Sequence, residues 1–155
     1  MNKGFTLIEL LLSLTIAMLL ILSTTSSLSG LLVRNEQQIL IDEISQAVNY
    51  AKLQSVILGH KVILSPVNNN WSAGMNLYDI KKQKRELIYH WEWKHPSLKI
   101  DWAGVNQDKT IIFSNNPLDG ISNGTFRIIN VQTKKQTQIV LNRLGRIKVK
   151  SNSII

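Results

Sequence analysis

The C-terminal part of the sequence carries basic side chains and no acidic ones, a pattern suited to binding phosphates. No Asp or Glu follows Asp119. Arg and Lys donate charge-assisted hydrogen bonds to phosphate oxygens, and such contacts along a nucleic-acid backbone have little sequence preference. The sequence therefore predicts a polyanion-binding surface near the C-terminus. Its candidate residues are Arg143, Arg146, Lys148 and Lys150, with Lys134 and Lys135 as further candidates.

A β-strand would place most of these cations on one face. Side chains alternate in direction along a strand, so every second residue from Arg146 to Lys150 would point to one side. Ile147 and Val149 would point the other way, into a core. Arg143 lies in the preceding turn, within reach of the basic side. An alternative interpretation is a solvated edge strand that lysines keep soluble.

At the other end of the chain, one carboxylate, Glu9, interrupts a long apolar run. A carboxylate at the centre of a bilayer costs about 2.5 to 3.5 kcal/mol, so its presence needs a reason. The apolar stretch Leu10–Leu22 and its neighbours reach the length of a membrane span, which we place at residues 5–28. Only Lys3 precedes the run, which predicts a cytoplasmic N-terminus. The remaining domain, 29–155, would lie on the opposite side of the membrane from the N-terminus.

The stretch Gly4-Phe5-Thr6-Leu7-Ile8-Glu9 resembles the class III signal of type IV pilins and of the type II secretion pseudopilins. The resemblance implies that a prepilin peptidase removes the leader, residues 1–4, by cutting after Gly4, and that the new N-terminal Phe5 is methylated. It implies an assembly role for Glu9, whose carboxylate can compensate the positive Phe5 amine in apolar surroundings. The implied location is the inner membrane, single-pass with a periplasmic domain, and the pilus at the cell surface after assembly with other pilins.

The elements that position both ends are one long helix and a series of short strands. No proline occurs between Val33 and Leu58, and apolar residues recur at helical spacing, which predicts a helix from Phe5 to about Leu58 with Gly59 as its C-cap. Alternation and turn residues then predict seven or eight strands, giving an α+β fold. The helical positions expected in the core are Leu40, Ile44, Ala47, Ala51 and Leu58. The predicted strands are Lys61–Val67, Trp71–Ile80, Glu86–Lys94, Leu98–Trp102, Thr110–Phe113, Thr125–Val131, Gln136–Leu141 and Arg146–Val149.

The globular part is similar to the GspH/FimT subgroup of pilin-like proteins, through segments such as WSAGM, TIIFSNNPLDG and QIVLNRLGRIKVK. That resemblance implies a long helix packed on an antiparallel β-sandwich. It also relates Gly145-Arg146-Ile147-Lys148 to the G-R-x-R motif of DNA-binding minor pilins that act in natural transformation. Lys148 keeps the charge of the second arginine but lacks its bidentate fork.

Three functions follow from these resemblances. The first is a minor pilin of a type IV pilus that binds DNA without sequence preference and supports DNA uptake in natural transformation (competence). The second is a minor pseudopilin of a type II secretion system, similar to GspH. The third is a structural minor pilin that primes pilus assembly and binds no ligand.

Composition and the remaining motifs indicate a binding protein rather than an enzyme. The chain of 155 residues has a formal net charge of +8 and no cysteine, which excludes thiolate metal sites. Its three histidines lack metal-ligand spacing, so no metal or other cofactor is expected. Tyr89, Trp91 and Trp93 alternate in a way that favours a sandwich core over base stacking. The basic cluster Lys81–Arg85 is typical of a solvated hairpin tip.

Overall fold

One long helix, α1, runs from Leu7 to Leu58. The computed structural model describes residues 6–81, 84–105, 109–116 and 118–152, without side-chain detail for residues 22–34 and 151–152. The helix ends just before Gly59, whose φ of 72° is the left-handed conformation that a helix C-terminus favours. This confirms the predicted end of the helix and its C-cap, whereas the predicted start at Phe5 lies outside the described residues.

Within the described residues, eight strands follow α1 and form two four-stranded sheets. Every pair of neighbouring strands is antiparallel. The first sheet has the order β3-β2-β1-β5 and the second β4-β6-β7-β8. The predicted α+β fold, a long helix with an antiparallel β domain, is therefore confirmed. The strands are β1 Val62–Val67, β2 Asn70–Lys81, β3 Lys84–Glu92, β4 Leu98–Gly104, β5 Ile111–Phe113, β6 Gly124–Asn130, β7 Gln136–Leu141 and β8 Ile147–Asn152.

The chain divides into two compact units, residues 1–36 and 37–155. In the first unit, the described apolar side chains of α1 up to Ile21 are exposed. Among the residues that the structure describes, no helical stretch has the length and apolar character that a membrane crossing requires. The span predicted at 5–28 includes Phe5 and the side chains from Leu22 onward, which lie outside the described set.

The second unit has its core between the C-terminal part of α1 and the sheets. Four of the five helical residues expected in the core are fully buried, and they are Leu40, Ile44, Ala47 and Ala51. The expectation for Leu58 is wrong, since it is 37% exposed. It belongs to the last turn, where α1 ends. In the second sheet, residues of β7 alternate between buried and half-buried, which fixes which face carries the apolar side chains.

The aromatic stripe formed by Tyr89 and Trp91 of β3 and by Trp93, just after the end of β3, divides between the core and the surface. Trp93 is buried in the core, Trp91 is half-buried and packs against the core, and Tyr89 is 48% exposed, so the predicted core position is wrong for Tyr89 only. β3 is an edge strand of its sheet. Tyr89 and Trp91 pack against Tyr50 of α1 in tilted and edge-to-face arrangements, with ring centroids 5.6 and 5.8 Å from it.

Candidate nucleic-acid interface

The two lysines of β8 lie on the outer face of the second sheet, at its edge. Among the described strands, β8 pairs with β7 alone, and Lys148 and Lys150 stand opposite Val140 and Gln138. Both lysines are exposed, and no carboxylate among the described residues lies within ion-pairing distance of either. Neighbouring positions on one strand face are about 6.6 Å apart, so the two charges form a short row.

The opposite face of β8 is less buried than predicted. Ile147 and Val149 face the apolar side of the sheet, opposite the buried Leu141 and Ile139. Ile147 is half-buried against the core, but Val149 is 46% exposed, because β8 is the last strand of its sheet. The strand also begins at Ile147, so Arg146 belongs to the turn before it.

That turn is built by Asn142 and Gly145. The Asn142 side-chain oxygen accepts hydrogen bonds from the backbone amides of Leu144 and Arg146, at 3.0 and 2.8 Å. Gly145 has a φ of 69°, and a Cβ atom there would lie 3.0 Å from Cε1 of Phe113. Only glycine adopts this conformation without strain and without pressing on the buried ring. The turn therefore holds the backbone of Arg146 in a fixed place.

Two further contacts fix Arg143. The buried hydroxyl of Ser122 lies 2.9 Å from the Arg143 carbonyl and 3.1 Å from that of Asn142, and its proton is shared between them. The guanidinium of Arg143 donates a 2.9 Å hydrogen bond to the carbonyl of Leu118. The side chain of Arg143 is thus anchored to a loop that lies 25 residues earlier. An Asn before a tight turn is a recognisable signal in a sequence, whereas nothing in the local sequence indicates the role of Ser122.

Beside the turn is a pocket of about 290 Å³ that adds a cation from α1. Lys52 lines it together with Arg143 and Arg146, and its stem lies close to the turn, 3.5 Å from where a Gly145 Cβ would be. Val56 and Leu144 contribute apolar walls. The role of Lys52 is not predictable from the sequence, because only the packing of α1 against the sheets brings it beside a turn some 90 residues later.

Lys134 and Lys135 lie at the opposite end of β7. They belong to the turn between β6 and β7, which Asn130 organises by accepting hydrogen bonds from the amides of Gln132 and Thr133. Both lysines are exposed. The length of β7 separates them from the Asn142 turn by about 20 Å. They therefore extend the row of β8 lysines without sharing the pocket of Arg143 and Arg146.

Two carboxylates enter this region through the fold. Asp101 of β4 forms a 2.8 Å ion pair with Arg127 of β6, on the same face of the sheet as Lys150. Asp119 is adjacent to Leu118, the residue that Arg143 contacts. The sequence predicted a basic surface with no acidic neighbour. The folded chain instead brings Asp119 closer to Arg143 than their separation in sequence indicated. We call the six cations Arg143, Arg146, Lys148, Lys150, Lys134 and Lys135 the basic edge.

At the other end of the chain, Glu9 lies in the first turn of α1 and is exposed. Its amide donates a 3.1 Å hydrogen bond to the carbonyl of Thr6, and Ser13 donates one of 2.7 Å to the carbonyl of Glu9. A carboxylate is favoured there by the partial positive charge of a helix N-terminus. The Thr6-x-x-Glu9 spacing is also that of a capping box, a signal that sequence analysis did not use. Gly4 and Phe5, at the predicted cleavage site, lie outside the described residues.

The three histidines have separate partners. His60 lies 2.8 Å from Asp79, His95 lies 2.9 Å from Glu43, and His90 lies 2.6 Å from Asn76. Within the described ranges, no group of three or more His, Asp or Glu side chains is arranged to hold a metal ion.

Two family models match the chain. Residues 40–145 match the family described as type II transport protein GspH. Residues 1–25 match the prokaryotic N-terminal methylation motif, a stretch that contains Gly4, Phe5 and Glu9. The GspH match ends at Gly145, so the cations from Arg146 onward lie beyond it. A search of curated protein sequences gives no significant match.

Solved structures of pilin-like proteins share the fold. The type IV minor pilin FimU of Pseudomonas aeruginosa superposes with a TM-score of 0.60 at 17% identity, over 76% of this chain and 90% of FimU. A second crystal form of FimU gives a TM-score of 0.55 at 16% identity, over 73% and 91%. The minor pseudopilin EpsH of the Vibrio cholerae type 2 secretion system gives 0.54 at 9% identity, over 75% and 97%.

Proposed function

The chain belongs to the GspH family of pilin-like proteins, and from that premise we propose that it is a minor pilin of a type IV pilus that binds DNA through the basic edge. The observation that carries the proposal is a group of exposed cations at the edge of the second sheet, with Lys148 and Lys150 in a row on β8 and Arg146 in the turn before it. Within the described residues, these cations have no carboxylate at ion-pairing distance. Supporting DNA uptake in natural transformation is the cellular role that we assign to this binding.

The chemistry of this surface suits phosphates rather than bases. Its cations are exposed on a strand edge and a turn, where a backbone of regularly spaced phosphates can lie along them. Each phosphate neutralised releases counterions, so binding weakens as salt rises, with a slope of about −0.9 per phosphate on duplex DNA. A small number of phosphates gives modest affinity, which several copies or neighbouring pilins in a filament raise by avidity. The protein then acts by binding, with no catalytic step.

A titration of the full chain in detergent with duplex DNA at low salt tests the proposal. Replacing Arg146 and Lys148 by glutamine removes two charges and leaves the turn's backbone hydrogen bonds in place, so affinity should fall severalfold. Lys84→Gln with Arg85→Gln is the matched control, because it removes two exposed cations from the other sheet. The absence of binding by the unmodified chain, or equal weakening in both variants, would contradict the proposal.

A second candidate function is a minor pseudopilin of a type II secretion system. The description of the matching family and the similarity to EpsH favour it. In this case the basic edge would serve contacts with secretion partners, and the duplex titration would show no binding by the unmodified chain. The same experiment therefore separates the two candidates.

The N-terminal residues belong to the same proposal. We infer that a prepilin peptidase cuts after Gly4 at the inner membrane, that Phe5 becomes the methylated N-terminus, and that Glu9 pairs with its amine during assembly with other pilins. The match to the N-terminal methylation motif supports this inference. Before assembly the chain would be held in the inner membrane by residues 5–28, with its globular domain in the periplasm.

Removal of the Glu9 carboxylate tests the assembly step. We expect Glu9→Gln to leave the globular domain folded and to reduce the amount of chain recovered in sheared filaments. Asp42→Asn removes an exposed carboxylate from the same helix and serves as the control. Normal recovery of Glu9→Gln in filaments would contradict the assigned role.

A further inference from the structure

The pocket beside the Asn142 turn concentrates three cations from two distant parts of the sequence. Lys52 comes from α1, and Arg143 and Arg146 come from the turn before β8. Among the described residues that line the pocket, none is acidic. One guanidinium nitrogen of Arg143 is held by the Leu118 carbonyl, which fixes the side chain and leaves its other donors available. The pocket is therefore a preformed site for an anion.

Its size and walls indicate what that anion is attached to. A volume of about 290 Å³ is at the lower limit of small-molecule sites, which excludes a duplex but accepts a single small group. Besides the cations, the exposed apolar side chains of Val56 and Leu144 line the pocket, and Ser114 and Asn115 add polar atoms. A charged phosphate next to a flat, partly apolar base has this combination of properties.

The number of cations distinguishes two kinds of phosphate. A phosphodiester inside a strand carries one negative charge, whereas a terminal phosphomonoester carries about 1.5 to 2 at neutral pH. Three cations that line one pocket favour the more highly charged group. Lys148 and Lys150, which form a row along β8, instead match charges that repeat along a strand.

We propose that the pocket lined by Lys52, Arg143 and Arg146 binds the phosphorylated terminal nucleotide of a DNA strand. This inference rests on the proposed DNA-binding function and adds a preference for strand ends bearing a phosphomonoester. The row on β8 contacts the backbone that follows. Lys52 distinguishes binding of the terminal phosphate from binding of the strand backbone, because it lines the pocket and is not part of the basic edge.

The test compares single-stranded oligonucleotides of one sequence with a 5′-phosphate, a 3′-phosphate or hydroxyls at both ends, titrated against the full chain in detergent. We expect a phosphorylated end to bind about five- to tenfold more tightly, as a charge-assisted interaction at a partly exposed site should. Inorganic phosphate and a deoxynucleoside monophosphate, added as competitors, show whether the pocket needs the strand or only the phosphate group.

Lys52→Gln should reduce the preference for a phosphorylated end severalfold, because one of the three pocket cations is lost, and should weaken binding of the hydroxyl-ended strand much less. Lys52→Arg should retain the preference, and Lys84→Gln is the control for removing an exposed lysine elsewhere. Lys52 is exposed, so thermal unfolding should confirm that both variants fold.

The outcomes separate this proposal from the function on which it rests. Equal binding of all three oligonucleotides by the unmodified chain overturns the pocket proposal and leaves DNA binding intact. A preference of the same size in Lys52→Gln as in the unmodified chain also overturns it. Failure to bind any of the three strands at low salt overturns the pocket proposal, and only a further failure to bind duplex DNA overturns the function on which it rests.

Discussion

The edge strands β3 and β8 carry similar numbers of exposed cations but differ in what surrounds them. β3 begins with Lys84 and Arg85 and also contains Glu86 and Glu92, so its formal charges cancel. β8 contains Lys148 and Lys150 and no carboxylate. Exposed cations therefore give β8 a net positive charge, whereas the same number of cations leaves β3 neutral. This difference predicts that the two edges respond differently to substitution.

The largest effect is expected at Gly74, which lets β3 approach β2. A Cβ atom at Gly74 would lie 2.0 Å from the carbonyl oxygen of Trp91, so the two strands must separate. We expect Gly74→Ala to lower the free energy of unfolding by about 3 kcal/mol or more, measured by chemical denaturation. Gly59→Ala is the control, because its φ is also positive but open space surrounds it, and its cost should be about 1 kcal/mol.

The folded fraction of Gly74→Ala should retain duplex binding, because the change affects the β3 edge and not the β8 edge. A fall in duplex affinity that follows the disruption of β3 would indicate that the two edges act as one surface, contrary to the comparison.

A smaller loss of stability and a clear loss of binding are expected from Gly145→Ala. The left-handed φ and the 3.0 Å approach to Phe113 cost about 1 to 2 kcal/mol, because the ring can give way slightly. The turn would no longer hold Arg143 and Arg146 in place, so duplex affinity should fall although no charge is removed. Denaturation and duplex titration measure the two effects. Unchanged affinity in a destabilised protein would mean that the geometry of the turn is unimportant for binding.

Gly59 and Gly145 illustrate how much of the fold the sequence predicts. The end of α1 and the approximate positions of the eight strands followed from local periodicity and turn residues. The Asn142 turn was also predicted from the sequence, and the resemblance added the Gly145-Arg146 motif to it. The physical reason for Gly145, the closeness of Phe113 and Lys52, depends on packing between segments far apart in sequence, which local patterns do not contain.

The residues of the candidate site likewise divide into those that local sequence predicts and those that depend on tertiary packing. The exposed lysines of β8 were predicted because alternation along a strand is local. Lys52 and Ser122 were not, since each acts through a partner that only the tertiary fold supplies. Val149 and Tyr89 were expected to be more buried, because alternation predicts the face of a side chain and not whether its strand lies at an edge.

The smallest effect is expected from Asp101→Asn, which makes the second sheet more basic. Asp101 neutralises Arg127 at 2.8 Å, in a row that continues through Gln138 to Lys150. The pair is exposed, so stability should change by less than about 1 kcal/mol. Freeing Arg127 about 10 Å from Lys150 should tighten duplex binding about twofold at low salt.

Adding Arg127→Gln to Asp101→Asn serves as the control and should cancel the gain. Weaker binding by Asp101→Asn alone would mean that DNA does not reach the outer face of this sheet.

The salt dependence of duplex binding tests the central claim most directly, because it counts the phosphates that the basic edge neutralises. For the chain with Arg146→Gln and Lys148→Gln, the slope of log K against log salt should be shallower than that of the unmodified chain by about 1.8, or about 0.9 for each cation removed. Lys84→Gln with Arg85→Gln should leave the slope unchanged. An unchanged slope in the first variant, or an equal change in both, would contradict the assignment of DNA binding to the β8 edge.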